Sequence, residues 1–195
     1  KLDPDVVKRL RRIMYLSQRM TRLVSDLLRF SRLVRITSIM EKVDPAIVVA
    51  DIRRMMEPVL QEKNATITIR QPMHPLVCDK IGLEETLRNL ITNAIRYNDK
   101  EKKTVEVGML ESATSPRGPE SNVFYVKDNG IGIDPQYHQT IFRIFKRLPD
   151  SGKYDESGTG MGLTFVKKII ERNNGSIWVT SEPGQGSTFY FTFGR

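Results

Sequence analysis

One cysteine, one tryptophan and two histidines are all that this 195-residue chain holds of the residues that most often build disulfides, metal centres and large aromatic cores. With Cys78 alone, an internal disulfide and a cysteine-based zinc site are excluded, and His74 and His138 are too few and too far apart for a metal cluster. No apolar run approaches the roughly 20 residues that cross a bilayer. The N-terminal stretch carries Arg and Lys where a signal peptide would carry its apolar core. These absences exclude a disulfide scaffold and predict a reducing, cytoplasmic setting with no membrane contact. What is present, 39% hydrophobic and 28% charged residues, suffices for a packed core and excludes a mainly disordered chain.

The net charge of +8 suggests nucleic acid until its distribution is considered. Residues 1–36 hold ten Lys and Arg against Asp3, Asp5 and Asp26, so the remaining residues are about neutral. No base-reading motif accompanies the basic stretch. A solvated face, or one that meets acidic partners, accounts for the same charge, and no nucleic-acid partner is expected.

Asp3-Pro4 opens a helix with an N-cap and a proline at its first position. Every seventh residue from there is apolar (Val6, Ile13, Met20, Leu27, Val34), and Leu16, Leu23 and Phe30 fill a neighbouring stripe. An amphipathic helix packed on its own domain would show such a stripe, but the strict seven-residue period favours a partner helix. Beyond Thr37 the pattern breaks, and Asp44-Pro45 repeats the cap signal before an apolar-periodic stretch from Ile47 to Leu60. The expected division is therefore residues 1–36 and residues 37–195. In the second part, 65–69, 105–110, 123–127, 176–180 and 188–193 read as strands, and 83–97 and 164–172 as helices. Two or three helices on one face of a mixed sheet make an α/β sandwich. The polar run 112–122 reads as an exposed hairpin loop without chemistry.

Ten of the thirteen glycines stand at or after Gly130. The group Gly158-Thr159-Gly160-Met161-Gly162-Leu163 precedes a helix, where free backbone N–H groups suit phosphate, although simple turns would use the same glycines. Asn89 and Asn93 lie one helical turn apart, followed by Arg96 and Tyr97, so the four can face one pocket. Amide oxygens suit a hard cation such as Mg²⁺. Asp128, at a strand end before Asn129-Gly130-Ile131-Gly132-Ile133, can accept a hydrogen bond from an exocyclic amine, or can serve an ordinary turn.

In this order the clusters resemble the N, G1, F and G2 boxes of sensor histidine kinases: Asn89 to Tyr97, Asp128 to Ile133, Ile141 to Leu148, and Gly158 to Leu163. Gly184-Gln-Gly-Ser-Thr188 resembles their last glycine box, and residues 1–36, with Leu27-Leu-Arg-Phe-Ser-Arg-Leu33, resemble the second helix of their dimerisation hairpin. The segment between Phe145 and Gly158 and the phrase Ser187 to Thr192 resemble the phytochrome-type members. The resemblance implies the Bergerat-type ATP-binding sandwich shared with gyrase and the heat-shock chaperones, behind a long coiled-coil-like helix. It implies ATP and Mg²⁺ as ligands. Asp128 then meets the adenine amine, Tyr97 the adenine ring, Asn93 and Asn89 the Mg²⁺ and phosphates, and Arg147 the γ-phosphate. Arg96, Gly130, Gly132, Ile133, the residues Gly158 to Leu163, and Thr188 complete the implied nucleotide site.

The same resemblance implies a homodimer through the N-terminal helix and a response-regulator receiver domain as partner. Hydrolysing members of the superfamily carry a glutamate where Asn89 stands; an amide is no general base, which favours transfer to a side chain over attack by water. A nucleotide-binding switch without transfer is the alternative. Arg96 replaces the family's usual lysine and keeps its charge. The phosphoacceptor histidine has no counterpart: His74 lies between Pro72 and Pro75, and neither it nor His138 has the acidic neighbour of an acceptor. The acceptor helix is expected outside these residues. Residues 134–157 are expected to form a mobile lid anchored by Phe142 and Phe145, unless these two are core residues of a fixed short helix.

Overall fold

The computed structural model describes residues 3–35, 39–70, 72–116, 118–148 and 159–193. The helix α1 spans Pro4–Arg35. Its start is held as the sequence predicts, with the Asp3 carboxylate accepting the Asp5 N–H at 2.9 Å. Along it, Val6, Leu10, Ile13, Met14, Leu16, Met20, Val24, Leu27 and Leu28 are exposed, while Tyr15, Leu23 and Asp26 are half-buried. The side chains of Phe30 and Val34 and the division at 36/37 lie outside the described residues.

The helix α2 (Pro45–Glu62) is capped by Asp44, whose side chain accepts the Ala46 N–H at 2.9 Å, and it buries Val48, Val49, Ile52 and Leu60. The helix α3 (Lys80–Arg96) starts at Asp79, which accepts the Gly82 N–H at 3.0 Å. Its three-and-four spacing of Leu83, Leu87, Leu90, Ile91, Ala94 and Ile95 forms a stripe that is almost wholly buried. The last helix, α4, spans Gly162–Arg172 and buries Phe165, Val166, Ile169 and Ile170.

The strands β2 (Ala65–Ile69), β4 (Lys103–Ser115), β5 (Gly118–Asp128), β6 (Ile177–Ser181) and β7 (Ser187–Phe191) form one mixed sheet in the order β2-β4-β5-β7-β6. The pair β2 and β4 is parallel and the other three pairs are antiparallel. Inward residues Ile67, Val105, Val107, Phe124, Val126, Phe189 and Phe191 share one core with the buried faces of α2, α3 and α4. This is the expected α/β sandwich. On the opposite face, Trp178 stacks on Tyr190 with ring centroids 5.5 Å apart.

Two features depart from expectation. The strands β1 (Met40–Val43) and β3 (Leu76–Asp79) pair antiparallel in a second, two-stranded sheet that the sequence did not suggest. Each has four residues, too few for alternation to stand out. Residues 112–122 are not an open loop: β4 and β5 stay in register out to Ser115 opposite Gly118. The polar composition reflects an arm that extends past the neighbouring strands, while Glu120, buried on this arm, accepts the Ser176 hydroxyl at 2.9 Å. Cys78, fully buried on β3, has its thiol pushed up to about 11 by burial and by the adjacent Asp79, which makes it an inert core residue.

Asp79 does more than cap α3. Arg172, at the end of α4, donates to its Oδ2 at 2.6 Å, so one buried carboxylate joins the start of one helix to the end of the other. Removing the cation leaves Asp79 buried among apolar groups such as Ile169 and Phe193, which surround Gly82 beside it. We expect Arg172→Ala to cost about 3 kcal/mol in denaturant unfolding. A loss below about 1 kcal/mol would mean the pair behaves as a surface ion pair.

Candidate functional site

A cavity of about 530 Å³ opens between the C-terminal half of α3, the turn after β5, residues 134–148, the glycine turn before α4 and the start of β7. Asn93 and Arg96 reach it from the last turn of α3, away from the buried stripe, and Tyr97 from the C-cap that follows. Asp128, Gly132 and Ile133 line it from the turn, Arg147 from the far wall, and Thr159, Gly160, Gly162 and Leu163 from the glycine turn. Most residues that the sequence singled out, scattered over 70 positions of chain, therefore share one cavity.

Among its lining residues Asp128 is a buried carboxylate, 8% exposed. Oδ1 accepts the Gly130 N–H at 2.8 Å and the Ser187 N–H at 3.2 Å. Both bonds fall on one oxygen, which leaves Oδ2 as the acceptor for a donor within the cavity. Burial pushes the carboxyl up to about 6, and the two backbone N–H groups pull against that rise without cancelling it.

The turn that carries Asp128 is fixed from both sides. The Ile131 N–H donates to the Tyr97 carbonyl at 3.2 Å, and the Gly184 N–H donates to the Ile131 carbonyl at 2.7 Å. Ser181 Oγ accepts the Ile133 N–H at 2.8 Å and donates to the Gly186 carbonyl at 2.7 Å. Gly132 has φ +70°, and a Cβ there would run into the Glu182 carbonyl. Only glycine lets the turn close on the β6–β7 connection. On the other wall Gly160, φ +73°, lies where a Cβ would meet the Lys146 carbonyl at 3.0 Å.

Some predicted residues sit beside the cavity rather than in it. Asn89 donates through Nδ2 to the Glu85 carbonyl at 2.8 Å, which turns Oδ1 toward the glycine turn, 3.3 Å from where a Gly162 Cβ would stand. Gly130 packs under the Tyr97 carbonyl and serves by holding Asp128. Met161 is fully buried beneath the turn. Thr188 is displaced for a simple reason: β7 alternates, so Ser187 and Phe189 line the cavity and Thr188, between them, faces the other side of the sheet. Gly158 and residues 149–157 of the expected lid lie outside the described residues. Within 134–148, Phe142 is buried edge-on to Phe189 at 6.4 Å, whereas Phe145 is 53% exposed with φ +59°. The two phenylalanines are thus not a matched pair of anchors. A bulky residue held in the left-handed region next to Lys146 and Arg147 marks a strained bend at the cavity wall.

The sequence did not single out Ser187, Ile131, Asp134, Gln136, Tyr137 and Lys146, which also line the cavity. Ser187 had a signal, since it follows Gly186. Asn129 had one too: its side chain accepts from Asn98 Nδ2 at 2.8 Å and from the Thr104 N–H at 2.9 Å, stapling the end of α3 to the start of β4.

Among the described residues no three His, Cys, Asp or Glu gather to hold a metal ion. Beside Gly162 stand the Asn89 amide oxygen and the Asn93 amide, so a cation there would need a ligand's own phosphates to complete its shell, which is the usual situation of Mg²⁺. The α4 N-terminus has no side-chain cap, which leaves its backbone N–H groups for an anion. The residues present fit a nucleotide with its metal. No helix among the described residues is long and apolar enough to cross a membrane.

Residues 78–195 match the family model described as histidine kinase-, DNA gyrase B-, and HSP90-like ATPase. The chain is 44% identical over 191 residues to cyanobacterial phytochrome B of Nostoc sp., covering 98% of this chain and 25% of that protein. It is 32% identical over 180 residues to the sensor protein kinase WalK of Staphylococcus epidermidis, covering 90% of this chain and 28% of that protein. The chain thus spans about a quarter of the length of these curated relatives. Among solved structures, full-length ShkA in complex with AMPPNP superposes with a TM-score of 0.69 at 25% identity, covering 98% of this chain and 39% of that one. The Acinetobacter baumannii histidine kinase AdeS gives 0.68 at 23% identity, covering 100% of this chain and 86% of that one, a likeness of fold.

The raised value at Asp128 predicts a pH dependence. A carboxyl whose folded value lies above its ordinary 3.8 contributes stability below about pH 4 and loses it as pH rises through about 6. A ligand amine needs the ionised form, so binding has the opposite sign. Between pH 7 and pH 5 the affinity for an adenine nucleotide should fall about tenfold relative to Asp128→Asn, in which this titration is absent. Parallel calorimetric pH profiles for the two proteins would remove Asp128 from the contact.

Proposed function

The chain belongs to the histidine kinase-, DNA gyrase B- and HSP90-like ATPases, and from that premise we propose that it is the ATP-binding catalytic part of a sensor histidine kinase of the phytochrome type. The observation that carries the reading is the buried carboxylate of Asp128 facing a cavity whose other end is a glycine turn at an uncapped helix N-terminus. One end suits an amine-bearing base and the other suits phosphates. In this reading Asp128 accepts from the adenine amine, Tyr97 lies along the ring, and Asn93 and Asn89 offer amide oxygens toward Mg²⁺. Arg96 and Arg147 balance phosphate charge. When bound, Mg²⁺ would neutralise phosphate oxygens; the protein's own groups position the γ-phosphate and keep its surroundings dry.

The reaction proposed is transfer of the γ-phosphate to a histidine outside these residues, for relay to a response-regulator receiver domain. Among the two histidines here, His138 Nε2 lies 3.1 Å from the Ile133 carbonyl, and His74 stands in the irregular stretch before β3. Neither is presented on a helix as a nucleophile. The exposed apolar stripe of α1 supports a homodimer through this helix, with residues 1–36 as the dimerisation part and 37–195 as the catalytic part.

The test is to incubate the chain with labelled ATP and Mg²⁺, alone and with a longer chain extended upstream and carrying Asn93→Ala, so that only the short chain supplies nucleotide. We expect ATP binding without self-labelling, and acid-labile label on the longer chain. Binding with no label on either chain would favour a nucleotide-binding switch. Stoichiometric label mapped to His74 or His138 would overturn the assignment of the acceptor. Asp128→Asn should weaken ATP more than GTP, because guanine has a carbonyl where adenine has its 6-amine; equal losses would sink that role.

A further inference from the structure

Thr159 lines the cavity beside Gly160 and Gly162, yet its hydroxyl is already engaged: it donates to Asp26 Oδ2 of α1 at 2.6 Å. The two residues are 133 positions apart. A hydroxyl bound this closely to a carboxylate makes a charge-assisted bond, stronger than a neutral one. It joins the helix whose apolar stripe is otherwise exposed to the wall of the cavity nearest the α4 N-terminus. Asp26 is half-buried at this contact, and Leu23, one turn earlier, is half-buried with it.

The contact places an anion where the proposed ligand brings its own. The α4 N-terminus and the glycine turn favour negative charge, and Asp26 supplies one at their edge. A triphosphate entering the same end meets a carboxylate it repels and a hydroxyl whose proton is already given away. We propose that Thr159 serves either Asp26 or the phosphates of the nucleotide, so that nucleotide binding and docking of α1 oppose each other, and Asp26 thereby reports the filled site to the N-terminal helix. The inference rests on the nucleotide reading above. By linkage, whatever factor α1 docking takes from ATP affinity, ATP takes from docking.

The experiment uses the whole chain and Asp26→Ala, with circular dichroism to verify that both fold. ATP with Mg²⁺ and adenosine are titrated into each by calorimetry. The variant should bind ATP about tenfold more tightly, a gain of about 1.4 kcal/mol, and adenosine within about twofold of the original chain. Equal ATP affinities overturn the inference. So does weaker ATP binding by the variant, which is the result expected if the carboxylate were a metal ligand. Absence of ATP binding by either protein overturns the nucleotide reading itself, and the inference with it. The reciprocal arm places spin labels at Gln18→Cys and Lys167→Cys, both exposed positions, with Cys78 buried and unlabelled. ATP should broaden the inter-label distance in the original chain, and Asp26→Ala should show that breadth without nucleotide. A distance that ATP leaves unchanged overturns the coupling.

Discussion

A single buried carboxylate organises the site. Asp128 ends β5 against β7, and holding its charge at that depth requires the N–H groups of Gly130 and Ser187 to converge on one oxygen. That convergence constrains much else. Gly130 must pass under the Tyr97 carbonyl, Gly132 must take a left-handed turn against Glu182, and Ser181 must gather the Ile133 N–H and the Gly186 carbonyl. Three separate stretches of chain are thus locked around one residue by short polar contacts. The apolar sandwich beneath supplies the rigidity that makes so small a network dependable. Burial without full compensation leaves the carboxyl with a residual cost, and a ligand that donates to Oδ2 relieves it.

The helices were legible because each carries redundant signals. Asp3-Pro4 and Asp44-Pro45 announce their caps, and α3 repeats its apolar stripe while setting Asn93 and Arg96 on the other side. Its true start, at the Asp79 cap, lies ahead of the expected Leu83. The central strands were legible from alternation, as in Ala65–Ile69. Where those signals run short, the reading fails for physical reasons. The strands β1 and β3 have four residues each and are stabilised by each other, a relation no local window contains. The arm of β4 and β5 is built of Ser, Thr, Pro and Gly because it leaves the core, so its composition mimics a loop although its backbone stays paired. Within the site, residue types were easier to find than directions. Ser187 lines the cavity while Thr188, the next residue, faces away, because one step along a strand reverses the face.

The N-terminal helix obeys a different balance from the sandwich. Its cap is local and forms as the sequence predicts, and among the described residues most of its apolar stripe is exposed. A helix this long is not held by propensity alone, and its exposed Ile13, Met14 and Met20 call for burial elsewhere. The basic residues on the same helix keep such a surface soluble and oppose nonspecific stacking of like-charged copies. A helix so weakly tied to the sandwich can be moved by a single polar contact.

The surroundings of the glycine turn bear on the proposed preference for transfer over hydrolysis. Asn89 is oriented by the Glu85 carbonyl, and the Glu85 carboxylate is itself paired with Arg88. The α3 side chain beside Gly162 is therefore an amide that can coordinate but cannot take a proton from water. The nearby carboxylate is already committed to a cation and to the Asn89 amide. General-base catalysis of hydrolysis needs a free basic group within hydrogen-bond reach of the attacking water. With Glu85 paired to Arg88 and Asp26 held by Thr159 among the described residues, the proposed reading has a bound triphosphate await a nucleophile that needs no base to remove its proton. A neutral imidazole, with one ring nitrogen unprotonated, is such a nucleophile, and so in the proposed reading the amide at Asn89 would both spare the ligand from water and suit an acceptor of that kind.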